Sequence, residues 1–328
     1  MNIKMFNGWY FFWLILSLGS VIGCYFLLRK RRYETQKLVL FYIMLFAIAL
    51  HFIKMLIPPY SLDAGRLLRD SWFINICGAN ILLFPFIYMS KNDAAKDYMF
   101  YVGVLSGFIS IIYPMEPMAK ANQMADILDI VRFYIHHNII WMVPLFMVLF
   151  KHHTLSYKRV LKVPVYFLAV MLFIMLNQLF QSELGFIELR SSDFFDINYK
   201  NSSLIWGPGD DAIGTFLGWF CPDFFKTVPA GQFKGETKYW PWFWLIVPMY
   251  LVLVPICFLI SLIFDRHNLV NDFENLRVKV SEYKEYANYK KENSQSKQTS
   301  EKVKHSKKEQ NTTTLQQNND VSHKRKKK

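Results

Sequence analysis

Cys77 and His137 are the two side chains of this chain whose types could together support covalent chemistry. Cys77 lies in an apolar run at 71–89, and His137 lies in a second run at 130–150. A thiol beside an imidazole can act as a nucleophile whose proton the imidazole accepts. A buried thiol without such a base should be inert. The two runs must therefore hold both residues at one depth for the pair to act.

The elements that carry these residues are long apolar runs. A helix of about twenty residues crosses about 30 Å of hydrocarbon, because each residue rises about 1.5 Å. Only helices and closed barrels satisfy every backbone polar group in lipid, and the runs lack two-residue alternation. The sequence therefore predicts an all-α polytopic membrane bundle of about seven transmembrane helices. The predicted spans are 9–28, 38–57, 71–89, 98–114, 130–150, 163–180 and 242–264.

The first run has a competing interpretation as a lipoprotein signal peptide, because Val21-Ile22-Gly23-Cys24 resembles a cleavage box. A signal peptide carries its positive charge in front of the apolar run. Here Lys4 precedes the run, whereas the basic residues at 29–32 follow it. This distribution favours a transmembrane helix.

The orientation follows from the basic residues of the connections. Lysine and arginine are concentrated at 29–37, 90–97 and 151–162, whereas the alternate connections 58–70 and 115–129 hold fewer for their length. The C-terminal tail, rich in lysine, falls on the same side as the basic connections. By the positive-inside rule, we expect the N-terminus outside and the C-terminus in the cytoplasm of a multi-pass protein of the cell membrane.

Three regions are predicted along the chain: a transmembrane bundle at 1–264, an amphipathic juxtamembrane helix at 265–290 and a disordered basic tail at 291–328. The juxtamembrane helix could lie on the inner leaflet or against a partner. The tail is polar and cannot bury a core. Much of the net charge of +13 lies in the tail and the basic connections. It predicts attraction to anionic lipid headgroups, and no motif accompanies it that would indicate nucleic-acid binding.

The bundle includes a long outer loop at 181–241. Its glycines and proline at 206–211 predict a turn, and the apolar stretch at 212–221 is too short to span a bilayer. This stretch could be a re-entrant or interfacial element over the outer mouth of the bundle. A surface loop with an apolar patch fits the sequence equally well.

Polar side chains collect in the outer half of the predicted bundle. Cys77 is six residues into its span and His137 is seven residues into its own, so both should lie about 10 Å below the outer boundary. Polar groups are costly in hydrocarbon and should face the bundle interior or a wet cavity. No acidic residue is predicted deep within a span. The polar residues at this depth are His51, Lys54, Asn75, Asn80, His136, Asn138, Asn177 and Gln178.

Each of these residues also has a structural interpretation. A transmembrane cysteine can be a small apolar filler, and histidines or asparagines can join helices by hydrogen bonds. Several histidines with a cysteine could also bind zinc or copper. Cys77 lacks the nearby second cysteine or carboxylate that would complete a ligand set, so neither a metal nor a cofactor is predicted.

Two runs and a short motif carry a resemblance to a known family. Residues 74–86, with the sequence INICGANILLFPF, and residues 132–138, with RFYIHHN, resemble the YwaF-like family of integral membrane proteins, which includes transmembrane protein 164. Trp240-Pro241-Trp242 is similar to a third element. The resemblance covers roughly 38–264 and implies a compact helical bundle.

The resemblance also implies roles for residues of this chain. Cys77 takes the family's cysteine position and His137 its histidine position, with His136 as the adjacent rival. Asn75 and Gly78 stand where relatives commonly carry a histidine and an aspartate. Eukaryotic members resemble cysteine-dependent acyltransferases that act on phospholipids.

Two functions are therefore expected of the polar cluster. In the first, Cys77 attacks a phospholipid ester, His137 acts as the base, and an amide from Asn80, Asn138 or Asn177 stabilises the oxyanion. The membrane phospholipids are then the substrates. In the second, the cluster lines the path of a transporter or channel, although no inverted repeat is visible.

Overall fold

The computed structural model describes residues 2–58, 60–62, 64, 75–119, 124–186, 203–208, 212–231 and 234–291. The chain divides into two units, residues 1–265 and 266–328. In the first unit, nine helices follow one another within the described ranges. They are α1 (Gly8–Leu28), α2 (Tyr33–Ile53), α3 (Ile76–Met89), α4 (Asp93–Ile112), α5 (Met115–Ala119), α6 (Met124–Leu149), α7 (Val163–Glu183), α8 (Ala212–Gly218) and α9 (Ile246–Phe264).

The seven longest of these helices overlap the seven predicted spans, and the chain is an all-α polytopic helical bundle. Five helical segments of the described chain are long and apolar enough to cross a membrane. α3 is a shorter apolar helix of 14 residues. α6 has 26 residues, but polar side chains lower the hydropathy of its N-terminal half. The five segments are Gly8–Leu28, Tyr33–Leu62, Asp93–Ala119, Tyr157–Glu183 and Phe243–Phe264.

Two glycines let α4 pack directly on the backbone of α6. A methyl group at Gly103 would lie 2.8 Å from the Ile140 carbonyl oxygen, and one at Gly107 would lie 2.9 Å from that of His137. Contacts this close leave no room for any side chain. The pairing also shows that α4 and α6 run antiparallel, because the later residue of α4 meets the earlier residue of α6. Gly103 contacts the Phe84 ring of α3 as well, so α4 lies between α3 and α6.

A buried ion cluster joins the N-terminal part of α4 to the 150–162 connection. The carboxylate of Asp97 is fully buried, and Arg159 Nε donates a hydrogen bond of 2.6 Å to it. His153 Nε2 lies 2.7 Å from the same carboxylate. A buried carboxylate is stable only when it is paired in this way. His152, next in the chain to His153, instead packs on the Tyr33 ring at 4.4 Å.

Part of the outer loop lies inside the bundle. Trp206 is 1% exposed, and its Nε1 donates a hydrogen bond of 3.0 Å to Gln178 Oε1 on α7. Trp244 is also fully buried, and its Nε1 donates to the Leu204 carbonyl at 2.8 Å. These contacts fix residues 203–208 between helices and not on the surface.

The apolar stretch at 212–221 forms α8 and the turn that follows it. A methyl group at Gly214 would lie only 1.7 Å from the Pro208 carbonyl oxygen, so α8 packs backbone to backbone against the preceding segment. Its other side exposes Ile213 and Phe216. α8 is thus a short helix with one packed face and one apolar exposed face.

The second unit contains one described helix, at 266–291, here called α10. The sequence predicts a helix at 265–290. Almost all of its side chains are exposed. The predicted tail at 291–328 lies outside the described residues, apart from its first residue.

Candidate active site

Cys77 lies at the N-terminus of α3. The helix begins at Ile76, so Cys77 is its second residue, whereas the predicted span starts at 71. Asn75 is the N-cap, and its Oδ1 accepts a hydrogen bond of 2.7 Å from the Gly78 backbone N–H. The predicted supporting residue Asn75 therefore has a capping role. Residues 71–74 of the predicted span lie outside the described residues.

The N-terminus of a helix is a favourable place for a reactive cysteine. The first backbone N–H groups of a helix have no intrahelical acceptor, and they create a partial positive charge. Here the Ile76 N–H donates a hydrogen bond of 3.2 Å to Ser203 Oγ, and the Gly78 N–H donates one to Asn75 Oδ1. Cys77 lies between these two in the chain and is partly buried. A helix N-terminus favours the thiolate form of a cysteine, whereas apolar burial opposes it, so the thiol needs a base nearby.

His137 is held in one tautomer by its own helix. Its Nδ1 lies 2.8 Å from the Phe133 carbonyl oxygen, one turn earlier in α6. Because a carbonyl oxygen can only accept, Nδ1 must carry the proton, and the neutral ring has its lone pair on Nε2. Within the described residues, Nε2 has no hydrogen bond. The Phe133 ring packs against the imidazole at 4.0 Å. His137 is therefore arranged to accept a proton at Nε2.

The packing at Gly103 sets the relative depth of Cys77 and His137. Gly103 contacts Phe84 and Ile140. Cys77 precedes Phe84 by seven residues and His137 precedes Ile140 by three, towards the same end of the bundle. The Phe84 ring reaches towards its helix N-terminus, which shortens the first interval. The two residues thus lie within about one helical turn of each other in depth, roughly 5 Å.

A third residue interacts with both members of the pair. The carboxylate of Glu116, on the short helix α5, is close enough to interact electrostatically with Cys77 and with His137. No hydrogen bond joins Cys77 directly to His137 in the described part of the chain. Both side chains therefore lie within the electrostatic range of one carboxylate.

Asn80 places an amide donor on the same helix as Cys77. The side chain is fully buried, and its Oδ1 accepts a hydrogen bond of 2.6 Å from the Tyr98 hydroxyl. Its Nδ2 is buried without a partner among the described residues. A buried donor without an acceptor is costly, so this group invites a ligand oxygen.

The other two predicted asparagines differ from Asn80. Asn138 Oδ1 accepts a hydrogen bond of 3.2 Å from Trp141 Nε1 on its own helix. Asn177 on α7 has a buried Nδ2 that lacks a partner within the described ranges. Ser106 Oγ, which is not among the residues predicted from the sequence, is also buried without a partner within the described ranges. Ser106 follows Gly103 by one turn, so it lies on the face of α4 that meets α3 and α6.

A profile of the TMEM164 family matches residues 5–261 of this chain, which is most of its length. The chain belongs to the TMEM164 family. No curated protein and no solved structure matches it. The TMEM164 match begins before α1, whereas the resemblance at the sequence level was placed at 38–264. It ends at Ser261, before α10.

His136 occupies both of its ring nitrogens in structural contacts of this TMEM164-family bundle. Arg132 Nη1 lies 3.2 Å from Nδ1, and a guanidinium can only donate, so Nδ1 accepts. Nε2 then carries the proton and donates to the Ala47 carbonyl at 3.1 Å on α2. The His51 ring stacks on His136 at 6.3 Å. His136 thus joins α2 to α6, and the geometry favours its neighbour His137 as the base.

A buried carboxylate lies one residue before the predicted fifth span of this TMEM164-family chain. Asp129 lies within α6 and is fully buried. Arg132 Nε donates to its carboxylate at 2.8 Å, and the Tyr60 hydroxyl donates at 3.4 Å. Lys54 lies over the Tyr60 ring, with Nζ at 5.1 Å. The missed signal was the spacing of Asp129 and Arg132, which places opposite charges on one helix face.

The charged residues do not form a metal centre. Among the described residues, no group of three histidine, cysteine, aspartate or glutamate side chains is arranged to hold a metal ion. Arg132 lies next to Asp129, and its Nη2 is also 3.8 Å from Glu116. A guanidinium between two carboxylates competes with any cation there.

Proposed function

We propose that this protein is an integral membrane acyltransferase that moves phospholipid acyl chains through a cysteine nucleophile. One arrangement carries the proposal: Cys77 at the N-terminus of α3, at nearly the depth of His137, whose Nε2 is left as the proton acceptor. A nucleophile and a base oriented by a third group are the signature of covalent catalysis. The Phe133 carbonyl is the orienting group here.

The first half-reaction transfers the acyl chain to the enzyme. His137 Nε2 takes the proton of the Cys77 thiol, and the sulfur attacks the carbonyl carbon of a phospholipid ester. The carbon–sulfur bond forms, the ester carbon–oxygen bond breaks, and the leaving lysolipid oxygen receives the proton from His137. The products are a Cys77 thioester and a lysolipid.

The second half-reaction reverses these roles. The hydroxyl of an acceptor lysolipid gives its proton to His137 Nε2 and attacks the thioester carbon. The carbon–sulfur bond breaks, and the Cys77 sulfur takes back the proton. Water must be kept out, because it would compete with the acceptor. The buried Trp206 and the Ser203 contact at the N-terminus of α3 support this exclusion.

Asn80 Nδ2 is the proposed oxyanion donor. It follows Cys77 by three residues on the same helix face, and its amide orientation is fixed by Tyr98. A preorganised donor stabilises the negative charge of the tetrahedral intermediate, and removal of one such donor typically costs about 10²–10³ in rate. Asn177 and Ser106 are the next candidates for this role.

The membrane setting of the reaction is part of the proposal. We place the protein in the cell membrane with seven spans, the N-terminus outside and the C-terminus in the cytoplasm, on the basis of the basic connections. Cys77 then faces the outer half of the bilayer. The basic tail at 291–328 is proposed to attract anionic headgroups of the inner leaflet.

The test is acyl transfer in reconstituted membranes. The protein is placed in vesicles with a phospholipid labelled in its acyl chain and an unlabelled lysolipid acceptor. We expect wild type and the control Cys24→Ala, which removes a half-buried cysteine of α1, to transfer label at equal rates. Cys77→Ala and His137→Ala should abolish transfer. Full activity in Cys77→Ala would overturn the proposal.

A second candidate is ion-coupled transport, which the buried charges around Asp129 favour. Intramembrane ionisable residues commonly mark ion or proton pathways. This function predicts uptake or current that persists in Cys77→Ala. The acyltransferase proposal predicts the opposite dependence on Cys77.

A further inference from the structure

The helix α10 carries a continuous apolar stripe of mostly exposed side chains. Phe273 is 69% exposed, Leu276 is 58% exposed and Tyr283 is 73% exposed. The stripe residues are spaced alternately by four and three positions, so they fall on one face of the helix. They are Leu269, Phe273, Leu276, Val280, Tyr283 and Ala287.

The charges of α10 are sorted around this stripe. At about 100° per residue, the basic residues border the stripe on both sides, and three glutamates lie on the opposite face. Asp272 is the one acidic residue at a border within 266–291. The border residues are Arg266, Arg277 and Lys284 on one side and Lys279 and Lys290 on the other. The opposite face carries Glu274, Glu282 and Glu285.

We propose that α10 binds in the plane of an anionic lipid surface. The apolar stripe lies at the boundary between headgroups and acyl chains, as in interfacial helices. The long lysine and arginine side chains at the borders reach the headgroup phosphates, while their methylene stems cover apolar surface. The glutamates face water, away from the negative surface. This inference is independent of the acyl-transfer chemistry.

Covalent continuity favours a lipid surface as the occupant. Only Asp265 separates α9 from α10 in the chain, so α10 begins at the end of a membrane-spanning segment. Its length of about 39 Å lets the whole stripe lie on the surface. Each basic residue near an anionic leaflet contributes about 1 kcal/mol to the attraction.

A second copy of the chain is the competing occupant, because the same spacing matches a coiled-coil seam. Copies in one membrane share an orientation, so such a pair would be parallel. In a parallel pair, Lys279 of one helix would face Lys284 of the other across the seam. Like charges at these positions oppose pairing, although the same register places Asp272 opposite Arg277, an attractive pair. An anionic surface attracts Arg277, Lys279 and Lys284 alike.

The experiment measures hydrogen exchange across 266–291 in the intact protein. The protein is placed in nanodiscs of phosphatidylcholine alone or of phosphatidylcholine mixed with phosphatidylglycerol. We expect amide protection in the anionic discs that falls in neutral discs and at high salt. Leu276→Ser should reduce this protection about tenfold, because it removes from the stripe a leucine that lipid binding would bury. Val278→Ser is the matched control, since Val278 is equally exposed on the opposite face and should change nothing.

A charge variant separates the two occupants. Lys279→Glu combined with Lys284→Glu should abolish protection on anionic discs. Protection that is equal in neutral and anionic discs and rises with protein concentration would assign the stripe to a second copy and overturn the proposal. Rapid exchange in every disc would also overturn it.

Discussion

The Tyr98 hydroxyl on α4 donates a hydrogen bond of 2.6 Å to Asn80 Oδ1 on α3. A side-chain amide can rotate to exchange its oxygen and nitrogen, and this bond fixes which atom points where. The consequence is that Nδ2, the donor, is directed away from Tyr98. Tyr98 is thus a positioning residue for the proposed oxyanion donor.

Tyr98→Phe should lower acyl transfer without unfolding the protein. The ring is kept, but the amide of Asn80 loses its fixed orientation, so we expect kcat to fall about tenfold, less than the loss for Asn80→Ala. Tyr101→Phe is the control, because that hydroxyl is buried without a partner among the described residues. The test is to measure kcat and KM of both variants in vesicles. Equal values of kcat for Tyr98→Phe and Tyr101→Phe would contradict the positioning role.

The variants His136→Ala and His137→Ala should differ in what they lose: the first mainly stability, the second mainly acyl transfer. Loss of His136 removes its hydrogen bonds to the Ala47 carbonyl and to Arg132 and should destabilise the protein by about 1–3 kcal/mol. Loss of His137 removes the base and should abolish transfer with a smaller effect on stability. Thermal unfolding and activity are measured on both variants. Residual activity in His137→Ala together with none in folded His136→Ala would reverse the assignment.

Asp129→Asn should be strongly destabilising. It leaves the largely buried guanidinium of Arg132 without its closest carboxylate, and removal of one partner of a buried ion pair costs about 3–5 kcal/mol. Glu116→Gln is the comparison, because Glu116 is 46% exposed and 3.8 Å from Arg132, and it should change stability by about 1 kcal/mol at most. Chemical denaturation in detergent gives both values, and equal costs would argue against a structural pair.

Gly103→Ala should force α4 and α6 apart. Its methyl group would lie 2.8 Å from a backbone carbonyl, which cannot move aside as a flexible side chain can. We expect a cost of about 1–3 kcal/mol. Gly23→Ala places its methyl group in open space on α1 and should be neutral or stabilise the helix by up to about 1 kcal/mol. Unfolding temperatures of the two variants test this difference.

Cys221 should resist alkylation at neutral pH while the protein is folded. Burial raises the pKa of its thiol to about 11, with Asp223 adding to the shift and Lys226 opposing it. The reactive thiolate is therefore scarce well below that pH, and its labelling rate should rise about tenfold per pH unit. Mass spectrometry of the folded and unfolded protein across a pH series measures this rate. Rapid labelling of folded Cys221 at neutral pH would contradict the burial.

Hydropathy located the seven long helices because a run of apolar residues signals a span whatever its neighbours are. It could not locate the start of α3, since that depends on Asn75 as a cap and on Ser203, which is distant in sequence. It also started the fifth span at 130, after Asp129, because a scale of single residues cannot see that Arg132 pairs with that carboxylate. The distinct contacts of His136 and His137 likewise depend on which helices lie beside α6.

Trp206 has a consequence for how the protein is made. Its partner Gln178 leaves the ribosome before it, whereas Trp244, which binds the neighbouring Leu204 carbonyl, emerges after it. These contacts therefore cannot all form while the helices are synthesised one by one. Assembly around Trp206 must wait until Trp244 and α9 have been synthesised, so biosynthesis ends with a single locking step at the segment 203–208.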